Sequence, residues 1–231
     1  MPSVPPNRSA RPAVVAFDVL DTLFPLAPLE WRFREAGIPR VLMARWADHL
    51  ARDVFALALV GGGRSFEDVV RTALRDITGH QVSPGAEDAI VEGLSELEPR
   101  REAAAALTAV REAGLRSVVF GNTGPDTALA LVEKAGLEGL VEGVMGTGPG
   151  RAWKPSPEAY RAAARSLGAV PGRMALVTAH GWDVAGASAA GLVTGWSAHL
   201  EGRFPAVFGA PDVTGADLVA TVRALPGLAA G

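Results

Sequence analysis

The chain has 231 residues, with 22 Lys+Arg against 25 Asp+Glu and a formal net charge of −3. At 48% hydrophobic and 20% charged it has ample material for a packed core, which excludes intrinsic disorder and fibrous repeats. Interspersed charge with a pI of about 5.8 leaves no electrostatic footprint for nucleic acid or an anionic membrane. The absence of Cys excludes disulfides, thiolate metal sites and a cysteine nucleophile.

Residues 1–12 hold Pro2, Pro5, Pro6 and Pro12 with Arg8 and Arg11 and no apolar run, which reads as a flexible tail rather than a signal peptide. No apolar stretch approaches the ~18 residues that span a bilayer. The expectation is a soluble, cytoplasmic protein.

Ala13-Val14-Val15-Ala16-Phe17 is a continuous apolar run, the pattern of a strand buried on both faces of a parallel sheet, and it ends in Asp18. From Leu23 to Pro99 the strand signal disappears. Leu42, Trp46, Leu50, Val54 and Leu57 recur at helical spacing; Ser65 with Asp68 forms a capping-box pattern; Ser83-Pro84 opens a third helix. Gly61-Gly62-Gly63-Arg64 lacks a preceding strand, so it reads as an interhelical loop rather than a phosphate cradle.

Further strands are predicted over 117–120, 174–177 and 192–196. Helices are predicted over 102–113 and 126–135, closed by Gly114 and Gly136, and from Ser156-Pro157 to Gly168. Strand–helix alternation of this kind predicts an α/β fold, a doubly wound Rossmann-like parallel sheet. The core then comprises 13–23 and 100–231, with 24–99 inserted as a helical cap over the carboxyl ends of the strands.

The residues after each predicted strand carry the functional signal. The first strand delivers Asp18 and Thr22; the second Gly121, Asn122 and Thr123; the third Thr178, His180 and Asp183, while Lys154 precedes a helix. Singly, each has a structural reading: a turn cap for Asp18, a solvated charge for Lys154, a packing aromatic for Trp182, a half-buried helix residue for Tyr160. Jointly they put a carboxylate, a hydroxyl and an amine at one edge of a sheet, where the carboxylate can act as a nucleophile held ionised by the amine.

Phe17 to Leu23, Phe120-Gly121-Asn122, Lys154-Pro155 and Val177 to Asp183 together resemble the four motifs of the haloacid dehalogenase superfamily. Trp153-Lys154-Pro155 with Tyr160, and Gly181-Trp182-Asp183, are most similar to the type II (L-2-)haloacid dehalogenases. The resemblance implies a first-type cap, a catalytic set of Asp18 (nucleophile), Thr22, Lys154, Asp183 and His180, and no metal or other cofactor. It implies substrate contacts from Leu20, Gly121, Asn122, Tyr160, Thr178 and Trp182, a small-molecule substrate, and a homodimer.

Several positions depart from the pattern. Leu20 stands where the superfamily's phosphatases place a second aspartate, whose backbone carbonyl also binds magnesium, and Ala179 replaces a metal-binding acid. A serine that binds substrate carboxylate is Gly121 here, leaving its backbone N–H as the donor. An asparagine that orients water is His180, a candidate general base. The halide-gripping arginine aligns with Ala47, with Arg45 and Arg52 as substitutes. The expected function is metal-independent hydrolysis of short 2-haloacids through an aspartyl ester. A magnesium-dependent phosphatase and a degraded, binding-only domain remain the alternatives.

Overall fold

The structure is a computed structural model that describes residues 11–61, 63–146 and 150–227. Most of the expected 1–12 tail, and Gly62, lie outside the described residues. In chain order the elements are β1 (Val14–Phe17), α1 (Glu30–Glu35), α2 (Arg40–Val60), α3 (Phe66–Thr78), α4 (Pro84–Gly93), α5 (Ala103–Glu112), β2 (Arg116–Phe120), α6 (Pro125–Lys134) and β3 (Gly143–Met145). They continue with α7 (Pro157–Ser166), β4 (Met174–Thr178), α8 (Gly181–Ala190), β5 (Val193–Ser197), β6 (Val213–Gly215) and α9 (Leu218–Ala224).

The strands form one parallel sheet in the order β3-β2-β1-β4-β5-β6. All four residues of β1 are buried, because side chains alternate between two covered faces. Val15 and Phe17 join Leu107 of α5 and Val222 of α9 on one face, whereas Val14 and Ala16 meet Tyr160 of α7 and Ala187 of α8 on the other. The fold is a doubly wound Rossmann-like α/β sheet, as the alternation of elements predicts. Strand order reverses between β1 and β4, so the crevice at their carboxyl ends is where such sheets receive ligands.

Between β1 and β2 lie α1 to α4 and then α5. Trp46 of α2 is fully buried, its ring centroid 5.3 Å from that of Phe33, and its indole N–H donates to Val70 O at 3.2 Å. Burying such a side chain contributes about 1.5–3 kcal/mol. The capping box at Ser65 is formed in full: Asp68 N donates to Ser65 Oγ at 3.1 Å and Ser65 N to Asp68 Oδ2 at 3.3 Å. Buried Glu87 of α4 is gripped by both Arg75 and Arg71 of α3, which ties the two helices together. Where the helical segment rejoins the sheet, Arg100 N donates to Leu23 O at 2.8 Å, so its two ends are side by side.

Sequence patterning does not reveal β3, β6, α1, α8 or α9. The two strands are three-residue edge segments containing Gly and only partly buried, too short for a run of apolar residues to stand out. Helix α1 is six residues, and α8 is so rich in Gly and Ala that no apolar stripe marks it. Ser156 stands at the N-terminus of α7 as expected, without a side-chain capping bond.

Candidate active site

Asp18 is the first residue past β1, its amide donating to Val177 O at 3.0 Å and its side chain 7% exposed. Lys154 Nζ lies 2.8 Å from Asp18 Oδ1, and Thr22 Oγ1 donates to Asp18 Oδ2 at 2.8 Å. Ala179 N in turn donates to Thr22 Oγ1 at 3.0 Å, which fixes the hydroxyl so that its proton points to the carboxylate.

Lys154 is fully buried. Its ammonium also donates to Phe120 O at 3.1 Å and lies 2.7 Å from Asp183 Oδ2, a close ion pair without the alignment of a hydrogen bond. Asp183 Oδ1 accepts from the Tyr160 hydroxyl. The resulting chain is continuous: Tyr160, Asp183, Lys154, Asp18, Thr22.

Two carboxylates share one ammonium, and their environments drive them apart. Burial works to raise Asp18, but Lys154 and His180, with hydrogen bonds from Lys154 and Thr22, outweigh it and hold the carboxyl below its ordinary 3.8. Asp183 is raised, because burial together with the Asp18 charge exceeds what Lys154 and Tyr160 return. Burial opposes charge on Lys154, yet the two aspartates raise its pKa above 10.5. Asp18 is therefore the carboxylate most firmly kept as an anion.

Above Asp18 lies a cavity of about 310 Å³, bounded by β1's following turn, α2 and the turns after β2 and β4. Leu20, Asn122, His180 and Trp182 line it, with Ala47, Ala51, Val54 and Phe55 supplying the helical wall. His180 Nε2 lies 3.7 Å from Asp18 Oδ2 and 3.0 Å from Leu20 O, and its ring stacks on Trp182 with centroids 5.2 Å apart. A carbonyl can only accept, so Nε2 carries the proton and, in the neutral ring, Nδ1 keeps the lone pair.

Of the expected site residues, Asp18, Thr22, Lys154, Asp183, His180, Leu20, Asn122, Tyr160 and Trp182 come together here. Tyr160 and Asp183 lie beneath the cavity rather than on its wall. Asn122 forms a two-bond clamp on the backbone of Lys154, Nδ2 to Lys154 O and Lys154 N to Oδ1, both 2.9 Å, so its amide holds the lysine as well as bordering the cavity.

Three expectations need correction. Arg52 faces away, 55% exposed and paired with Asp53 at 2.8 Å and Asp76 at 3.8 Å, because it follows Ala51 by one residue, about 100° round the helix from the cavity wall. Gly121 does not offer its N–H to a ligand, since that group donates to Met145 O at 3.1 Å. Thr178 is fully buried as the last residue of β4, where its hydroxyl accepts from His180 N at 3.2 Å.

Other residues escape sequence reasoning. Gly186 of α8 lets Tyr160 reach Asp183: a Cβ there would meet Pro155 O at 2.5 Å and Tyr160 Oη at 2.7 Å. A small residue one α-helical turn past Asp183 is the only sequence signal for it. Asp21 and Asp48 also line the cavity, as does Thr123, which the sequence already places after the second strand.

The fold and the site together define a doubly wound α/β protein with a buried, ion-paired carboxylate at the switch point of its sheet. The haloacid dehalogenase-like hydrolase family model matches residues 12–191, and the chain belongs to that family. It is similar to haloacetate dehalogenase H-2 of Moraxella sp. (strain B), 26% identical over 206 residues covering 87% of this chain and 92% of the relative. It is also similar to the (S)-2-haloacid dehalogenase of Pseudomonas sp. (strain YL), 25% identical over 203 residues, 86% and 88% of the two chains. Among solved structures, the L-2-haloacid dehalogenase RSc1362 superposes with a TM-score of 0.85 at 26% identity, covering 93% of this chain and 98% of the other.

Proposed function

We propose that this protein hydrolyses the carbon–halogen bond of short 2-haloacids through an ester on Asp18, without a metal ion. The observation that carries the reading is the Asp18 carboxylate, held as an anion between Lys154 and Thr22 at the floor of a cavity roofed by α2. The relatives named above, dehalogenases of haloacetate and (S)-2-haloacids, support the substrate class.

In the first step an Asp18 oxygen attacks C2 in line with the halogen; the C–O bond forms as the C–X bond breaks, and the halide leaves with the electron pair and needs no proton. Configuration at C2 inverts. In the second step water, deprotonated by His180 Nδ1 in this reading, attacks the Asp18 carboxyl carbon. The bond from that carbon to the ester oxygen breaks, the leaving oxygen takes the proton back from His180 and departs as the 2-hydroxyacid, and the new carboxyl loses its proton to solvent, restoring the carboxylate with one oxygen from water. Lys154 stabilises the Asp18 carboxylate before attack and the oxyanion formed when water adds to the ester, and Tyr160 with Asp183 keeps Lys154 in place. Helices α1 to α4 act as the cap, whose apolar wall excludes bulk water and accepts the substrate's carbon side chain.

The residues present do not fit a magnesium ion. Leu20 and Ala179 offer no side-chain oxygen at the positions where the superfamily's phosphatases use acids. The Leu20 carbonyl, the backbone ligand expected there, is engaged by His180 Nε2 at 3.0 Å. No step is therefore routed through a metal, and the phosphatase alternative finds little support in this donor set.

The decisive test is a single turnover of L-2-chloropropionate in ¹⁸O-water. Label is expected in Asp18, not in the lactate, and Asp18→Asn should release no chloride. Label appearing directly in the product, or chloride release equal to the parent in that variant, would sink the ester mechanism.

A further inference from the structure

His180, Trp182 and Asp183 stand together at the start of α8, so whatever fixes that helix end fixes three residues of the site. The opening N–H groups of a helix have no partner within it, and His180, at the N-cap position, makes no side-chain capping bond. Its ring is turned to the Leu20 carbonyl instead. Glu201, on the loop after β5, supplies the cap from a distance. Gly181 N donates to Glu201 Oε1 and Oε2, both at 3.1 Å, and the helix dipole also favours a carboxylate there.

The contact is enclosed on its other sides. The Trp196 indole N–H reaches Glu201 Oε2 at 3.1 Å and Ala179 O at 3.2 Å, joining the carboxylate to the residue before His180. A Cβ on Gly181 would meet Pro205 Cδ at 2.8 Å, so the helix start is pressed against the same loop. Two residues before Glu201, His199 Nε2 donates to Asp21 O at 2.9 Å. One loop therefore braces the turn after Asp18 through His199 and the helix end beside His180 through Glu201. The lysine partner of Asp18 is held by other means, by the Asn122 clamp and the Phe120 carbonyl.

We propose that Glu201 is a positioning residue: by capping α8 through Gly181 it holds the His180 imidazole where it can draw a proton from the water that attacks the Asp18 ester. This rests on the reading of His180 as that base. Without the carboxylate the helix start is released and the imidazole moves, while the nucleophile and its lysine stay. Ester formation is then kept and ester hydrolysis slows. kcat/KM reports only the steps up to the irreversible loss of halide, so it holds while kcat and KM fall together. A purely structural role would instead lower kcat and kcat/KM alike, in step with the amount of folded protein.

The test compares Glu201→Ala, which removes the acceptor, with Glu201→Gln, which keeps one. With L-2-chloropropionate the alanine variant should lose about tenfold to a hundredfold in kcat with kcat/KM within about twofold, and glutamine should stay near the parent. Intact-protein mass during turnover should show the ester on Asp18 building up in the alanine variant. Equal kcat in parent and alanine variant, or an equal fall of kcat and kcat/KM without ester build-up, overturns the role of Glu201. Should the parent release no halide, imidazole ¹⁵N spectra separate the proposal from the dehalogenase reading, with the His180 signals assigned by their loss in His180→Gln. A proton fixed on Nε2 in the parent and in Glu201→Gln, but exchanging between the two nitrogens in Glu201→Ala, upholds the positioning while the reaction falls. The same His180 spectrum in all three proteins overturns the positioning as well. If the alanine variant does not fold, Glu201→Met, which keeps the length of the side chain, is held to the same outcomes.

Discussion

A Cβ placed on Gly121 would lie 2.6 Å from Val19 Cγ2, well inside van der Waals contact. Val19 is fully buried on the turn after β1, so it has little room to yield. The glycine after β2 and the valine after Asp18 are therefore one steric unit. Gly121→Ser alone is expected to destabilise by about 1–3 kcal/mol through overpacking. Val19→Ala opens space for it, so the double variant should be more stable than the two single effects add up to, by about 1 kcal/mol or more. Urea midpoints of the four proteins check this; strict additivity would show that the two side chains do not compete.

Lys154 holds two buried carboxylates at 2.8 and 2.7 Å. Lys154→Met keeps the length of the side chain and removes its charge, leaving both anions unpaired. A loss of about 3–5 kcal/mol is expected at pH 7, read from the urea midpoint. The deficit should shrink as the pH is lowered, because one of the two carboxyls, Asp183 being the raised one, can take up a proton instead. A deficit independent of pH would mean that packing rather than charge is what Lys154 contributes.

The alkaline limit of stability follows from two groups at this site. Lys154 is raised above 10.5 despite burial, by Asp18 and Asp183; Tyr160 is raised well above 10.0 by burial and then by Asp183. In both cases the folded protein keeps a proton that the unfolded chain gives up, so stability is full below the unfolded values and falls as pH rises beyond them. Asp18 acts at the opposite end: its lowered pKa contributes stability above 3.8 that is lost as pH falls through the folded value, while raised Asp183 offsets part of this. Tyr160 is the only tyrosine in the chain, so tyrosinate absorbance reports it alone. The absorbance should rise only together with unfolding, above about pH 10, and stability there should fall by up to about 2.7 kcal/mol per pH unit for two protons. Ionisation near pH 10 in the folded protein would remove Tyr160 from the network.

Arg52 provides a control. Its guanidinium pairs with Asp53 and Asp76 on the side of α2 turned from the cavity. Arg52→Ala should leave kcat/KM for a haloacid within about twofold of the parent. A loss of a hundredfold would require the arginine to swing into the site when substrate binds.

Central strands, helix stops and the order Asp18, Asn122, Lys154, Asp183 are legible in the sequence because each obeys a local rule. A strand covered on both faces must be apolar throughout, as 13–17 and 174–177 are, and Gly114, Gly136 and Gly168 all adopt the positive φ that ends a helix. The helix face of Arg52 follows from its angular offset to Ala51, whereas the family resemblance offers it as a substitute for a halide-gripping arginine. Edge strands were not legible, since three half-buried residues carry too little pattern.

The linear order of residues decides that a carboxylate follows the first strand and that helices follow it, because hydrophobic period and turn chemistry act over a few neighbours. What each polar group does was settled only in three dimensions. Asn122 clamps the backbone of Lys154, the Gly121 amide is spent on Met145, and His180 takes the Leu20 carbonyl. Hydrogen-bond partners and steric exclusions join residues far apart along the chain, and no local rule encodes a distance between them.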